Sequence, residues 1–329
     1  MTDNELRAFS LHQGKRINTI YNALDCFEQA AFVSNCFLDV DKARNLFVDD
    51  ISIRLAKADA VVEIKRNCFH HPKSYKIKEL KATADNCLTV VDRTIEKGEF
   101  VTFMTRFDLL SPYCWYDTKD VHQNHYATIV GKKGNDYLIA DSPGVFSCKR
   151  NSSWEENRDI HVVRDKELNR AFSKYLFLCS FRNNPKYIEW NTTDLLERIY
   201  KSFYEGVANN KTIVGQKAFM EVLKMLQSDD GYVQIYPSLI ASHWNIHLIL
   251  SRHILLREYI VKDETDKGIM ESLIKLIQSI NAFKQIIVEN SIRRVDGLQR
   301  KLVNGWIGIV DLENEFFGRV GEYLSEGVS

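Results

Sequence analysis

The chain has 329 residues, with 45% hydrophobic and 27% charged side chains, the profile of a globular protein with room for two domains. Lys plus Arg and Asp plus Glu number 44 each, so the net charge is zero, which argues against a nonspecific nucleic-acid binder. Seven cysteines at wide spacings, with no CxxC pair, exclude a disulfide framework and a zinc-finger pattern.

The start, Met1-Thr-Asp-Asn-Glu-Leu-Arg, is polar and lacks the apolar run of a signal peptide. No apolar stretch approaches membrane-spanning length. A reducing cytoplasm is therefore the expected location, with no membrane partner. Residues 15 to 24 are moderately helical. A second helix should start at Asp25, because Asp25 followed three residues later by Glu28 is a capping-box arrangement. Phe27, Ala30, Ala31, Phe32, Val33, Cys36, Phe37 and Leu38 make that helix apolar nearly all round, hence buried on most sides. Cys26 becomes its first helical residue, where unpaired N–H groups and the positive dipole end favour a thiolate. The plain alternative is a small core residue.

Residues 39 to 98 read as shorter helices and connections, the last helix running from Asp85 to Lys97 with Gly98 as its C-terminal stop. Phe100-Val-Thr-Phe-Met-Thr reads as a buried strand. The aromatic segment Asp108-Leu-Leu-Ser-Pro112-Tyr-Cys-Trp115 is expected near a pocket. Next comes a hairpin, from His122-Gln-Asn-His125 to Leu-Ile-Ala-Asp141. A three-residue loop at Lys132-Lys133-Gly134 sets residue 131 against 135 and 125 against 141, which makes His125 and Asp141 neighbours on one face. A slip of one residue would separate them. One further strand is expected near 175 to 181.

The segment Phe181-Arg-Asn-Asn-Pro-Lys-Tyr carries turn formers and marks the boundary between a first domain, 1–185, and a helical domain, 186–329. In the second, Thr193 or Asp194 can cap a helix that stops at Gly206. Further helices span about 212–227, 237–262 and 265–325, the last with breaks, and Leu273, Leu276, Ile280 and Phe283 recur at helical spacing.

A nucleophilic thiol needs a base in reach and an orienter for that base. Cys26, His125 and Asp141 supply these in papain-like chain order. His122 is a second candidate base, more plausibly a pocket residue. A metal shared by His122 and His125 is disfavoured because the residues after His125 read as strand. Asp108 lines the pocket or is a solvated loop carboxylate. His243 and His247 lack the Glu of a zincin motif and read as ordinary helix residues. Trp115, Trp244 and Trp306 suit either an acceptor pocket or core packing. Arg252 and Arg257 suit either a carrier protein's acidic face or a solvated helix face.

Ala23-Leu-Asp25-Cys26-Phe-Glu-Gln-Ala, Thr102-Phe-Met-Thr-Arg-Phe-Asp108, Pro112-Tyr-Cys-Trp115, His122-Gln-Asn-His125, the Ile-Val-Gly131 turn and Leu-Ile-Ala-Asp141 together resemble one known family. It is the family typified by the butirosin-biosynthesis H protein, an acyltransferase related to C39-type papain-like peptidases. Gly215-Gln-Lys-Ala-Phe-Met-Glu-Val-Leu is similar to that family's following helical domain. One departure is that the His-x-x-Gly run often found just before the cysteine is absent, and His12-Gln-Gly14 lies well upstream.

The resemblance implies an α+β fold, with a papain-like, C39-like nucleophile helix packed on an antiparallel sheet, followed by an all-helical domain. It implies acyl transfer in bacterial natural-product biosynthesis, of the aminoglycoside or nonribosomal-peptide type. The acyl group would pass from the phosphopantetheine thioester of an acyl or peptidyl carrier protein, through Cys26, to a small-molecule amine. His125 would be the base and Asp141 its orienter. Asn22, Asp108, Trp115 and His122 would serve the substrate, with Asn22 or the Cys26 N–H meeting the oxyanion. No cofactor or metal is implied beyond the carrier's own arm, and a homodimer stays open. Two rival readings share the frame: a cysteine hydrolase (peptidase or amidase), and a binding module without catalysis. A helical second domain that screens the site from water would favour transfer.

Overall fold

The computed structural model describes residues 25–36, 51–58, 61–66, 75–113, 116, 124–141, 160–184, 186, 190–206, 211–241, 243–260 and 266–326. The chain is α+β, and the two sheets among the described residues are antiparallel. It divides into two compact units. One comprises Met1–Phe47 and Pro72–Ile188, the other Val48–His71 and Glu189–Ser329. The junction after Ile188 lies close to the turn-rich segment singled out in the sequence, but a piece of the early chain belongs with the second unit.

The first unit opens with α1 (Cys26–Cys36). Its start is the reciprocal box read from the sequence. The Glu28 N–H donates to Asp25 Oδ1 at 2.8 Å, and the Asp25 N–H donates to Glu28 Oε2 at 3.2 Å. Each residue thus satisfies a backbone donor that the helix leaves open. Ala30, Ala31, Phe32 and Val33 are buried.

The 75–79 segment (Tyr75–Glu79) belongs to a six-stranded sheet, and residues 53–58 and 61–66 to a three-stranded one, so the expectation of short helices between 39 and 98 is corrected by strands. We number these β1 (Ile53–Ala58), β2 (Val61–Arg66) and β3 (Tyr75–Glu79). The reason was present as a two-residue period. Ile53 and Leu55 are buried around exposed Arg54, and Val62 and Ile64 around exposed Glu63.

The first unit continues with α2 (Cys87–Glu96), β4 (Val101–Arg106), β5 (Asn124–Lys133), β6 (Asp136–Ala140), β7 (Ile160–Arg164), α3 (Asp165–Lys174) and β8 (Leu178–Asn183). The helix closes where the sequence places its stop: Gly98 has φ +75° and its N–H donates to Ile95 O at 2.8 Å. The strand order is β3-β8-β4-β5-β6-β7. One face carries Val101, Phe103, Ala127, Ile129 and Ile139, packed with Val91 and Phe172 from α2 and α3. The other meets α1, where Phe27 stands edge-on to Tyr126 and Phe181. Neither β7 nor α3 was anticipated from the sequence.

The second unit is not wholly helical. β1 pairs with β2 and with β9 (Thr212–Val214), giving the order β2-β1-β9. Around that sheet lie α4 (Thr192–Tyr204), α5 (Gln216–Gln227), α6 (Asp229–Ala241), α7 (His243–Ile260), α8 (Lys267–Ile292) and α9 (Leu298–Glu326). The α4 cap is Asn191, whose side chain accepts from the Asp194 N–H at 2.7 Å, rather than Thr193 or Asp194. The expected 212–227 helix is split by Gly215, at φ +71°. A Cβ there would stand 2.3 Å from Phe203 O, so only glycine lets the chain turn from β9 into α5 so close to α4. Leu273, Leu276, Ile280 and Phe283 form one buried stripe of α8. Within this core His253 Nδ1–H donates to Ile249 O at 2.9 Å. Its Nε2 therefore shares a proton with Glu313 Oε1, 3.1 Å away, and both residues are fully buried.

No helix among the described residues is long and apolar enough to cross a membrane.

Candidate active site

The β5–β6 hairpin turns on two residues, Gly134 and Asn135, with Lys133 opposite Asp136 and Gly134 at φ +63°. The expected three-residue loop at Lys132-Lys133-Gly134 is thus corrected to a shorter one. Taken alone, this register would set Asp141 opposite Thr128 and away from His125. A bulge intervenes. Ile129 pairs with Ile139 but Gly131 with Leu138, so Val130 is an extra residue on β5. Beyond it Thr128 lies opposite Ala140, and continuing the pairing puts Asp141 opposite Ala127. His125 is two residues from Ala127 and so shares its face. The direct 125–141 pairing expected from the sequence becomes a diagonal one, on the same side of the sheet.

The side chains close that diagonal. His125 Nε2 lies 2.6 Å from Asp141 Oδ2, with the two residues only 4% and 3% exposed. Cys26 is near enough to the imidazole to raise its proton affinity. Cys26 sits half-buried in the first turn of α1, inside the Asp25–Glu28 box. Two aromatic rings fix the imidazole as well. Phe107 stacks on it with ring centres 4.4 Å apart, and Tyr113 meets it edge-on at 5.8 Å. The Tyr113 hydroxyl donates to Asp141 Oδ2 at 2.8 Å.

Burial by itself pulls the His125 pKa down, since a buried imidazolium loses hydration. The Asp141 charge and its hydrogen bond, with a smaller contribution from Cys26, outweigh burial and raise it to about 9. His125 therefore holds its proton at neutral pH. With Nε2 held by Asp141, Nδ1 is the ring nitrogen left to bond another group.

Of the residues assigned to substrate, only Asp108 is described. Its carboxylate lies in the fork of the Arg106 guanidinium, with Arg106 Nε donating to Oδ1 at 2.7 Å. That pairing, with a further bond to Tyr175, drives the Arg106 pKa up. Asn22, Trp115 and His122 lie outside the described residues. Tyr113 and Phe107 were missed as individual residues, although the aromatic segment that holds Tyr113 was singled out; its aromatics offered no means of ranking one above another.

The remaining sequence candidates fall elsewhere. Trp306 is buried in the second unit's core, with Nε1–H donating to Phe219 O at 2.9 Å. Arg252, expected on a solvated face, is 1% exposed, which corrects that reading; Arg257 is bonded to Glu258. His247 Nδ1 accepts from Lys284 Nζ at 3.2 Å, and burial lowers the Lys284 pKa. Among the described residues no group of three or more His, Cys, Asp and Glu is placed to hold a metal ion.

No protein-family model matches the chain, and no curated protein matches it.

Proposed function

We propose that the first unit is a papain-like cysteine enzyme and that it transfers acyl groups. In this reading an acyl thioester on a carrier protein's phosphopantetheine arm reacts with Cys26, and the acyl group then passes to an amine to give an amide. The observation that carries the reading is the chain of contacts from Cys26 to His125 to Asp141, built from a helix N-terminus and a bulged hairpin.

Two balanced exchanges make up the reaction. The Cys26 sulfur, its proton passed to His125, attacks the thioester carbonyl, the C–S bond to the carrier's arm breaks, and the departing thiolate takes that proton from His125. The amine then attacks the Cys26 thioester, His125 Nδ1 accepts its proton, and the C–S bond to Cys26 breaks to release the amide. One thioester is traded for another in the first exchange, so little free energy separates donor from acyl-enzyme. Asp141 holds Nε2–H and keeps Nδ1 directed at the reacting atoms. The Cys26 N–H, in the first turn of α1, is the backbone donor offered to the oxyanion; such a donor is worth about 3 to 4 kcal/mol.

The motif resemblance supports amine rather than water as the acceptor. Hydrolysis by the same triad is the second reading, and the contacts around Cys26 serve it equally well. Cytoplasmic placement, a bacterial biosynthetic setting and an acyl or peptidyl carrier partner belong to the proposal in the same sense.

The test is to incubate the protein with an acyl-loaded carrier protein, or a simple acyl thioester, and map the adduct by mass spectrometry. An acyl group on Cys26, lost in Cys26→Ala and discharged by amines faster than by water, is the expected result. Full activity in Cys26→Ala, with the adduct on another cysteine, overturns the assignment. Discharge by water alone selects the hydrolase.

A further inference from the structure

Asp141 Oδ2 accepts from two directions at once. His125 Nε2–H reaches it at 2.6 Å, and the Tyr113 hydroxyl at 2.8 Å. Tyr113 is 2% exposed and comes from the segment after β4, while the aspartate follows β6 and the histidine lies near the start of β5, next to Asn124. Its ring is also one wall of the histidine's enclosure: Phe107 lies flat against the imidazole, and Tyr113 stands nearly perpendicular to Phe107, with their centres 5.3 Å apart.

A carboxylate oxygen shared by two donors divides its charge between them. A phenol on that oxygen weakens the carboxylate's pull on the imidazolium and fixes the direction from which that pull comes. Among the described residues, the titratable groups facing the imidazole are Cys26 from α1, Asp141 beyond β6 and Tyr113 beyond β4. The Arg106 and Asp108 charges, on the same stretch of chain as Tyr113, are bonded to each other.

We infer that Tyr113 is a positioning residue that tempers His125 through the shared Asp141 oxygen, keeping the imidazole basic enough to hold a proton yet able to give it up. The inference rests on the reading of Cys26, His125 and Asp141 as a reacting triad, and is indifferent to the acyl group or the acceptor. Without Tyr113 the carboxylate, relieved of one donor, would hold the imidazolium more tightly, and protonation of the departing thiolate would become the slower event. A core tyrosine with only a packing role would lack this electrostatic signature.

Tyr113→Phe keeps the ring and deletes the donor. In the full chain, the imidazole titration of His125 should move upward by about half to one pH unit, read by NMR on labelled histidine. The upper limb of the pH profile for iodoacetamide alkylation of Cys26 should move with it. Site-specific 3-fluorotyrosine at position 113, a stronger donor of nearly the same size, should move the titration downward. Because it changes one atom, it decides the matter if Tyr113→Phe fails to fold. Opposite shifts in the two variants support the inference, and unmoved midpoints overturn it. Both readouts need no acyl donor. Shifted midpoints with no acyl adduct on Cys26 would leave the inference standing and remove acyl transfer; an adduct with unmoved midpoints would do the reverse.

Discussion

His125 and Asp141 are not directly opposed across β5 and β6, yet their side chains meet at 2.6 Å because one extra residue, Val130, restores the shared face that the two-residue turn would have taken away. The contact therefore depends on a backbone irregularity as much as on the two side chains.

Asp141→Asn tests the electrostatic half of that contact. Removing the charge leaves burial as the principal influence on the buried imidazole, so the His125 pKa should fall from about 9 to below the ordinary histidine value. An Asn carbonyl can still accept Nε2–H, so geometry is largely retained. On the proposed mechanism the rate of acyl transfer should drop on the order of 10³- to 10⁴-fold, as for an Asp-to-Asn change in known triads. NMR titration of His125 alongside acyl-adduct kinetics reads both. A titration unchanged from wild type would mean that Asp141 is not what holds the proton on His125.

The helix start offers a second test. Asp25 accepts from the Glu28 N–H, and Glu28 in turn accepts from the Asp25 N–H. Asp25→Ala removes the cap beside Cys26 and should lower stability by about 1 kcal/mol. The fall in Cys26 acylation should exceed what that loss of folded protein explains, because the first turn carries both the sulfur and the backbone N–H proposed to meet the oxyanion. Asp25→Asn should recover most of both. Equal losses of stability and acylation would mean that the cap serves the fold alone.

How much could be read in advance follows from the range of each interaction. The Asp25–Glu28 box and the Gly98 stop were legible because their partners lie within one turn. β1 and β2 carried a plain period of two in a local pair, but the third strand of their sheet, β9, which pairs with β1, lies roughly 150 residues away in the chain. The hairpin was recognised, but its register was not, since a bulge at Val130 answers to packing on both neighbouring strands. Arg252 could not be foreseen as buried, because an arginine on a helix ordinarily keeps its head in water. Cys26, His125 and Asp141 were singled out by residue type and chain order, whereas Tyr113 competed with several aromatics of equal standing.

In the second unit, Gly215→Ala should be severely destabilising. The position has φ +71°, and an added Cβ would lie 2.3 Å from Phe203 O and 2.7 Å from Ser202 O, both backbone atoms that cannot swing aside. Strain and clash together should cost about 2 kcal/mol or more. A lowered melting temperature checks this. Gly134→Ala makes the control, since Gly134 also has positive φ but nothing lies within 4 Å of its added Cβ. Equal losses at the two positions would show that the approach of α4 to β9 contributes nothing.

The pH dependence of stability has a definite sign. The folded-state pKa of His125 is raised to about 9 from the near-6.5 value of an unfolded histidine. A raised pKa means that the folded state binds the proton more tightly, so the stabilisation is fully present below about pH 6.5 and is lost as pH rises through about 9. Its size is on the order of 3 kcal/mol. Cys179 and Tyr137, whose pKa values burial pushes up to about 12, weaken the fold in the same direction but at higher pH. Measuring melting temperature at pH 6, 7.5 and 9 isolates the histidine window. The wild type should lose stability steadily across it, while Asp141→Asn should start lower and change little. Parallel slopes in the two proteins would remove the Asp141-held imidazolium as a source of stability, whatever its part in the chemistry.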